Sequence, residues 1–212
     1  MGSRTYIIPS DDMTLTDKTN YRVSAIAAGI ARAHGTNVGS IGDDEIPGFS
    51  KLGTAEMKTA SVKNYIMGGG WPKAFDVREF RPVLDAASAL DQWNTAALAA
   101  VGTAYSCLQA VAAPANPNNR YLVFYKMGCE TVPMPIALAI FRKGGATGNI
   151  LAQFDAEQLI NHQNIEGYFS EPVVIDPAIT YAVQVVCRIA TGLLARVQFG
   201  CLVVEPQGQT IA

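Results

Sequence analysis

The chain has 212 residues, 49% of them apolar and only 16% charged, with a formal net charge of −2. An ordinary soluble protein carries about 25% charged residues, and a general nucleic-acid binder needs a basic field that this balance excludes. No segment reaches the run of about 18 apolar residues expected of a membrane-spanning helix, and the first residues lack the apolar core of a secretory leader.

The charge shortage is uneven. Residues 1–95 hold 11 acidic and 10 basic side chains, residues 96–212 only 7 and 6. So few ionic groups cannot cover the outside of a domain of that size. Other polypeptide, chiefly neighbouring subunits, is expected to cover the rest. The chain is accordingly read as mainly β: a partly helical, Gly-rich arm over 1–100 precedes an antiparallel β-sandwich over 101–212.

Early in the chain, Val23, Ile26, Ala27 and Ile30 form a helical stripe that Asp17 or Thr19 can cap and Gly35 can close. Gly29 weakens this helix, because glycine costs about 1 kcal/mol in a helix interior. Residues 35–53 hold glycines at 35, 39, 42, 48 and 53 together with Pro47, and read as an arm crossing a surface. A second short helix is expected over 55–67. The glycines at 68, 69 and 70 then let the backbone bend and present Trp71. They are not a phosphate loop, since no Lys-Ser/Thr follows and no strand leads in. Pro82 suits the first position of a third helix over 82–98, which Gly102 stops.

Strands follow, at 105–112, 120–127, 136–141, 150–154, 167–175, 179–188 and 195–204, separated by clusters of turn-forming residues. Residues 155–162 read as one inserted helical turn. In the last two strands Tyr181, Val183, Val185 and Cys187 share one face, as do Val197, Phe199, Cys201 and Val203. Slipping either register by one residue would bury Gln and Arg, so the pairing is well specified. Cys187 and Cys201 are expected as small core residues on neighbouring strands, and the four cysteines form no CxxC motif.

The run Ile175-x-Pro177-x-Ile179-x-Tyr181-x-Val183-x-Val185 resembles the corner and penultimate strand of fibronectin-type-III-like sandwiches, although both tryptophans, Trp71 and Trp93, precede the sandwich. The whole layout, a Gly-rich and partly helical arm before a charge-poor jelly-roll-like sandwich, resembles phage capsid cement and decoration proteins. That resemblance implies a non-enzymatic virion subunit, made in a host cytoplasm and often trimeric, that clamps the major capsid protein or other shell subunits with its arm.

Catalytic chemistry finds little to use. There are two histidines: His34 beside a helix end and His162 in a polar loop. HExxH, GxSxG and paired-histidine spacings do not occur. Asp155, Glu157, Glu166 and Glu171 read as solvated turn residues rather than a facing pair of glycosidase carboxylates. Asp43, Asp44 and Glu45 lack the spaced oxygens of a calcium loop. No catalytic, cofactor-binding or metal-binding residue is assigned, and no cofactor is expected. The useful anomaly is apolar residues in a turn: Ile189, Leu193 and Leu194 lie where polar residues are expected. With Trp71 and Phe75, they are expected to form an intersubunit or arm-to-body contact. The alternative is a carbohydrate- or receptor-binding sandwich, which would expose Tyr121, Tyr125 and Tyr168 as an aromatic platform.

Overall fold

A computed structural model describes residues 4–34, 75–80, 93–107, 120–162 and 165–206. Its strands are β1 (Arg4–Pro9), β2 (Phe75–Glu79), β3 (Trp93–Ala97), β4 (Ala104–Ser106), β5 (Tyr121–Cys129), β6 (Ile136–Lys143), β7 (Asn149–Asp155), β8 (Glu166–Ile175), β9 (Tyr181–Cys187) and β10 (Leu194–Pro206), with one α-helix, α1 (Leu15–His34). Short 3-10 turns occupy Ser10–Asp12 and Glu157–Leu159. The mainly-β reading stands.

These strands form one curled sheet in the order β2-β10-β5-β8-β1-β7-β6-β9-β4, with β3 also paired to β10. The sheet is mixed rather than wholly antiparallel, because β1 runs parallel to β7 and antiparallel to β8. This six-residue strand joins the two halves of the curled sheet, which bends around one core. Rings from opposite halves meet there: Phe124 and Phe141 lie 5.0 Å apart, and Phe154 stacks on Phe169 at 4.2 Å. Aromatic pairs at such separations add about 0.5–1.5 kcal/mol beyond area burial.

The outer face of β5, β8 and β10 is covered by α1. Its Val23, Ile26, Ala27 and Ile30 pack on Val123, Tyr125, Leu202 and Val204, so the stripe read from the sequence is the buried one. The cap differs from expectation. The Thr14 Oγ1 accepts the Asp17 N–H at 3.2 Å, and the Asp17 carboxylate accepts the Thr14 N–H at 3.0 Å. Asp17 is thus the reciprocal partner of the cap, and the Thr19 hydroxyl donates to the Leu15 carbonyl inside the helix. Gly29 is tolerated because a Cβ there would lie 2.8 Å from Cγ2 of both Val123 and Val204. The helix touches the sheet at this point, and only hydrogen fits.

Two further expectations need correction. The helix expected over 82–98 is a strand where it is described: Trp93, Asn94 and Thr95 are buried in β3 on the edge of β10. Tertiary burial of that segment overrides its alanine-rich helical spacing. Cys187 and Cys201 are not on neighbouring strands, for β9 pairs with β6 and β4 while β10 pairs with β5, β2 and β3. All four cysteines are free and buried. Strands β1, β2 and β3 belong to the same sheet as the strands beyond residue 100. The expected helix over 55–67 lies outside the described residues.

The strand directions give the body two poles. At the upper one β5 ends and β10 begins, and residues 98–103, 130–135 and 188–194 make its turns. At the lower one β5 begins, β10 ends and α1 finishes beside Asp176, whose carboxylate takes two hydrogen bonds from the Arg32 guanidinium at 2.5 and 2.6 Å.

Candidate functional site

The upper pole carries the clearest surface anomaly among the described residues. Four large aliphatic side chains are exposed on three of its turns: Val101 at 65%, Val132 at 78%, Leu193 at 69% and Leu194 at 44%. Leu193 and Leu194 were expected there from the sequence. Val101 and Val132 were missed, although the same signal, an aliphatic residue inside a turn, marks both.

Backbone hydrogen bonds tie the turns into one frame. The Leu98 N–H donates to the Leu193 carbonyl and the Gly192 N–H to the Leu98 carbonyl, each at 2.9 Å. Gly102 N–H reaches the Cys187 carbonyl at 2.8 Å, and Arg188 N–H the Pro135 carbonyl at 2.6 Å. The Arg196 N–H donates to the Thr131 hydroxyl at 3.1 Å. Gly192 sits at φ 67°, a left-handed conformation that glycine adopts without strain. The side chains therefore stand on a braced crown rather than on independent loops.

Several polar groups among the described residues of this pole have partners. Arg196 and Glu130 form a loose, exposed ion pair at 3.9 Å, worth at most about 1 kcal/mol. The Gln198 amide donates to the same Glu130 carboxylate, and the Arg188 guanidinium to the Met134 carbonyl at 3.0 Å.

Not every expected contact residue joins the crown. Ile189 is half-buried at its base. Phe75 opens β2 opposite Pro206, at the other end of β10 from Leu194. Trp71 lies outside the described residues.

The polar candidates have structural partners. Asp155 accepts the Glu157 N–H at 2.9 Å, fixing the 3-10 turn. Glu166 pairs with Lys126 at 2.6 Å. His162 stands 4.0 Å from the Asp12 carboxylate. Asp43, Asp44 and Glu45 lie outside the described residues. Among those described, no group of three or more His, Cys, Asp or Glu could hold a metal ion, and no helix is long and apolar enough to cross a membrane. Burial pushes the thiols of Cys107 and Cys129 up. Tyr125 and Tyr168 do not form an exposed platform. Each is 6% exposed, their rings lie 6.2 Å apart, and Tyr168 meets Tyr21 of α1 at 5.7 Å.

Comparison with known protein families, with curated proteins and with solved structures gives no match for this chain.

Proposed function

We propose that this chain is a non-enzymatic structural subunit of a protein shell, of the virion cement or decoration kind, which self-associates through the crown. One observation carries the reading: Val101, Val132, Leu193 and Leu194 are all exposed at one pole, on turns that hydrogen bonds tie to one another. Apolar surface exposed at one end of a protein is a candidate contact. Burying a Val or Leu side chain yields about 1.5–3 kcal/mol when complete. A braced frame also loses little freedom on docking, so more of that gain appears as affinity.

The charge-poor second half supports the same reading, because its 13 ionic residues leave much of its exterior uncharged. A trimer is the favoured assembly, with the major capsid protein or another shell subunit as its partner and the virion as its location. The jelly-roll or fibronectin-III-like affiliation belongs to this proposal, and rests on a curled sheet bent around one aromatic core.

Size-exclusion chromatography with light scattering tests the reading, using the wild-type chain and a Leu193→Asp, Val132→Asp double variant. The wild type is expected to form a trimer. The variant is expected to be monomeric with an unchanged melting temperature, since both positions are exposed. A wild type that stays monomeric at every accessible concentration, or a variant that assembles normally, refutes it.

A further inference from the structure

The turn that carries Val101 joins strands from different halves of the sheet. Strand β3 pairs with β10 and β4 with β9, so residues 98–103 cross between the halves at the upper pole. Such a crossing has no ladder of its own, and its backbone groups must find partners elsewhere. Both ends of it do. The Leu98 N–H donates to the Leu193 carbonyl at 2.9 Å and the Gly102 N–H to the Cys187 carbonyl at 2.8 Å, while the Cys187 N–H donates to the Thr103 carbonyl at 2.9 Å.

The middle of the turn is held by a side chain. The N–H groups of Ala99 and Ala100 both donate to the Tyr105 hydroxyl oxygen, each at 2.9 Å. A phenol oxygen can accept as well as donate, and two consecutive amides take its accepting side. Tyr105 lies opposite Val185 in β4, and its partly buried ring packs against the core. The hydroxyl thus reaches back from the core to a turn whose residues Ala99, Ala100 and Val101 are exposed. Gly102, at φ 76°, makes the bend that follows. Two neighbouring peptide groups tied to one rigid ring leave Val101 a narrow set of positions. A contact made from a loose turn loses affinity to the ordering of that turn, and a fixed turn avoids this loss.

We infer that Tyr105 is a positioning residue of the crown: its hydroxyl sets the 98–103 turn so that Val101 is presented to a second copy of the chain. Self-association through the crown is the reading on which this rests. The ring serves the core and the hydroxyl serves the contact, through Val101. Tyr105→Phe separates the two duties, because it keeps the ring. The two amides it releases lie on an exposed turn and can bond water instead, so the fold loses little.

Wild type, Tyr105→Phe, Val101→Ser and the double variant are compared by sedimentation equilibrium and thermal melting, with amide exchange followed at Ala99 and Ala100. Tyr105→Phe is expected to speed exchange at both amides and to lower the melting temperature by no more than about 3 °C. It is expected to raise the apparent dissociation constant by about three- to tenfold, the scale of ordering one interface residue on docking. Val101→Ser is expected to weaken association by itself, after which Tyr105→Phe adds nothing, since no aliphatic side chain is left to position. A hydroxyl that served only the fold would lower the melting temperature further and act equally in both backgrounds. Association of Tyr105→Phe equal to wild type, an equal loss with and without Val101, or unchanged exchange at the two amides overturns the inference. A wild type that never associates refutes the crown reading and this inference with it. An associating wild type with an indifferent Tyr105→Phe refutes this inference alone.

Discussion

The buried carboxylate of Glu205 offers the sharpest test of the packing. Its side chain is 0% exposed. It accepts a hydrogen bond from Arg120 Nε at 2.6 Å and another from Arg78 Nε at 3.1 Å. Arg120 is itself 5% exposed and Arg78 28%. One carboxylate thus ties edge strand β2 to the start of β5 through the end of β10. Replacing Glu205 with Met removes a charge whose principal partner stays desolvated. Breaking such a buried pair from one side costs about 3–5 kcal/mol. That is a large share of the roughly 5–15 kcal/mol that holds a domain together. Replacing Glu205 and Arg120 together by Met removes both desolvation penalties, and is expected to cost clearly less than the two single changes added. Urea denaturation of the wild type, both single variants and the double variant measures this as a cycle. If Glu205→Met costs less than about 1 kcal/mol, or if the single losses simply add, the carboxylate is not the tie described here.

Two other outcomes are expected. Gly29→Ala should gain about 1 kcal/mol of helix propensity yet lose more than that to overpacking, because its Cβ would lie 2.8 Å from Val123 and Val204. A net loss of about 1 kcal/mol should appear as a lower melting temperature, and a rise would show that α1 is not seated as described. The bidentate Arg32 guanidinium, by hydrogen bonding and then by charge, holds the Asp176 carboxyl below its ordinary pKa. A depressed folded-state pKa contributes stability that is full above the unfolded value near pH 4 and is lost as pH falls through the folded value. Both side chains are partly solvated, so the contribution is at most about 1 kcal/mol. The stability gap between wild type and Arg32→Met, followed by urea midpoints, should be present at neutral pH and close below about pH 4. A gap that does not change with pH would contradict the assignment.

Most of the strands were legible because their signal is local. Alternation of apolar residues at period two needs only a few consecutive positions, and it located β5 through β10 and the core-facing residues of β9, although the opposite face of β9, with Gln184, is buried as well. The crown was half legible for the same reason, since Leu193 and Leu194 in a turn are anomalous wherever the turn ends up. Strands β1, β2 and β3 carried no such signal. They are short, β1 pairs with partners more than 140 positions away, and β3 is alanine-rich enough to suit a helix.

What the amino-acid order settled by itself was a β-rich second half with aliphatic turns. Which strands became neighbours, and hence that β1 joins the two halves of the sheet, that Cys187 and Cys201 separate and that Gly29 lies against Val123, was decided only when distant segments met. Side-chain alternation tells a strand which face to bury, whereas its partners are chosen by the long-range packing that satisfies both edges at once.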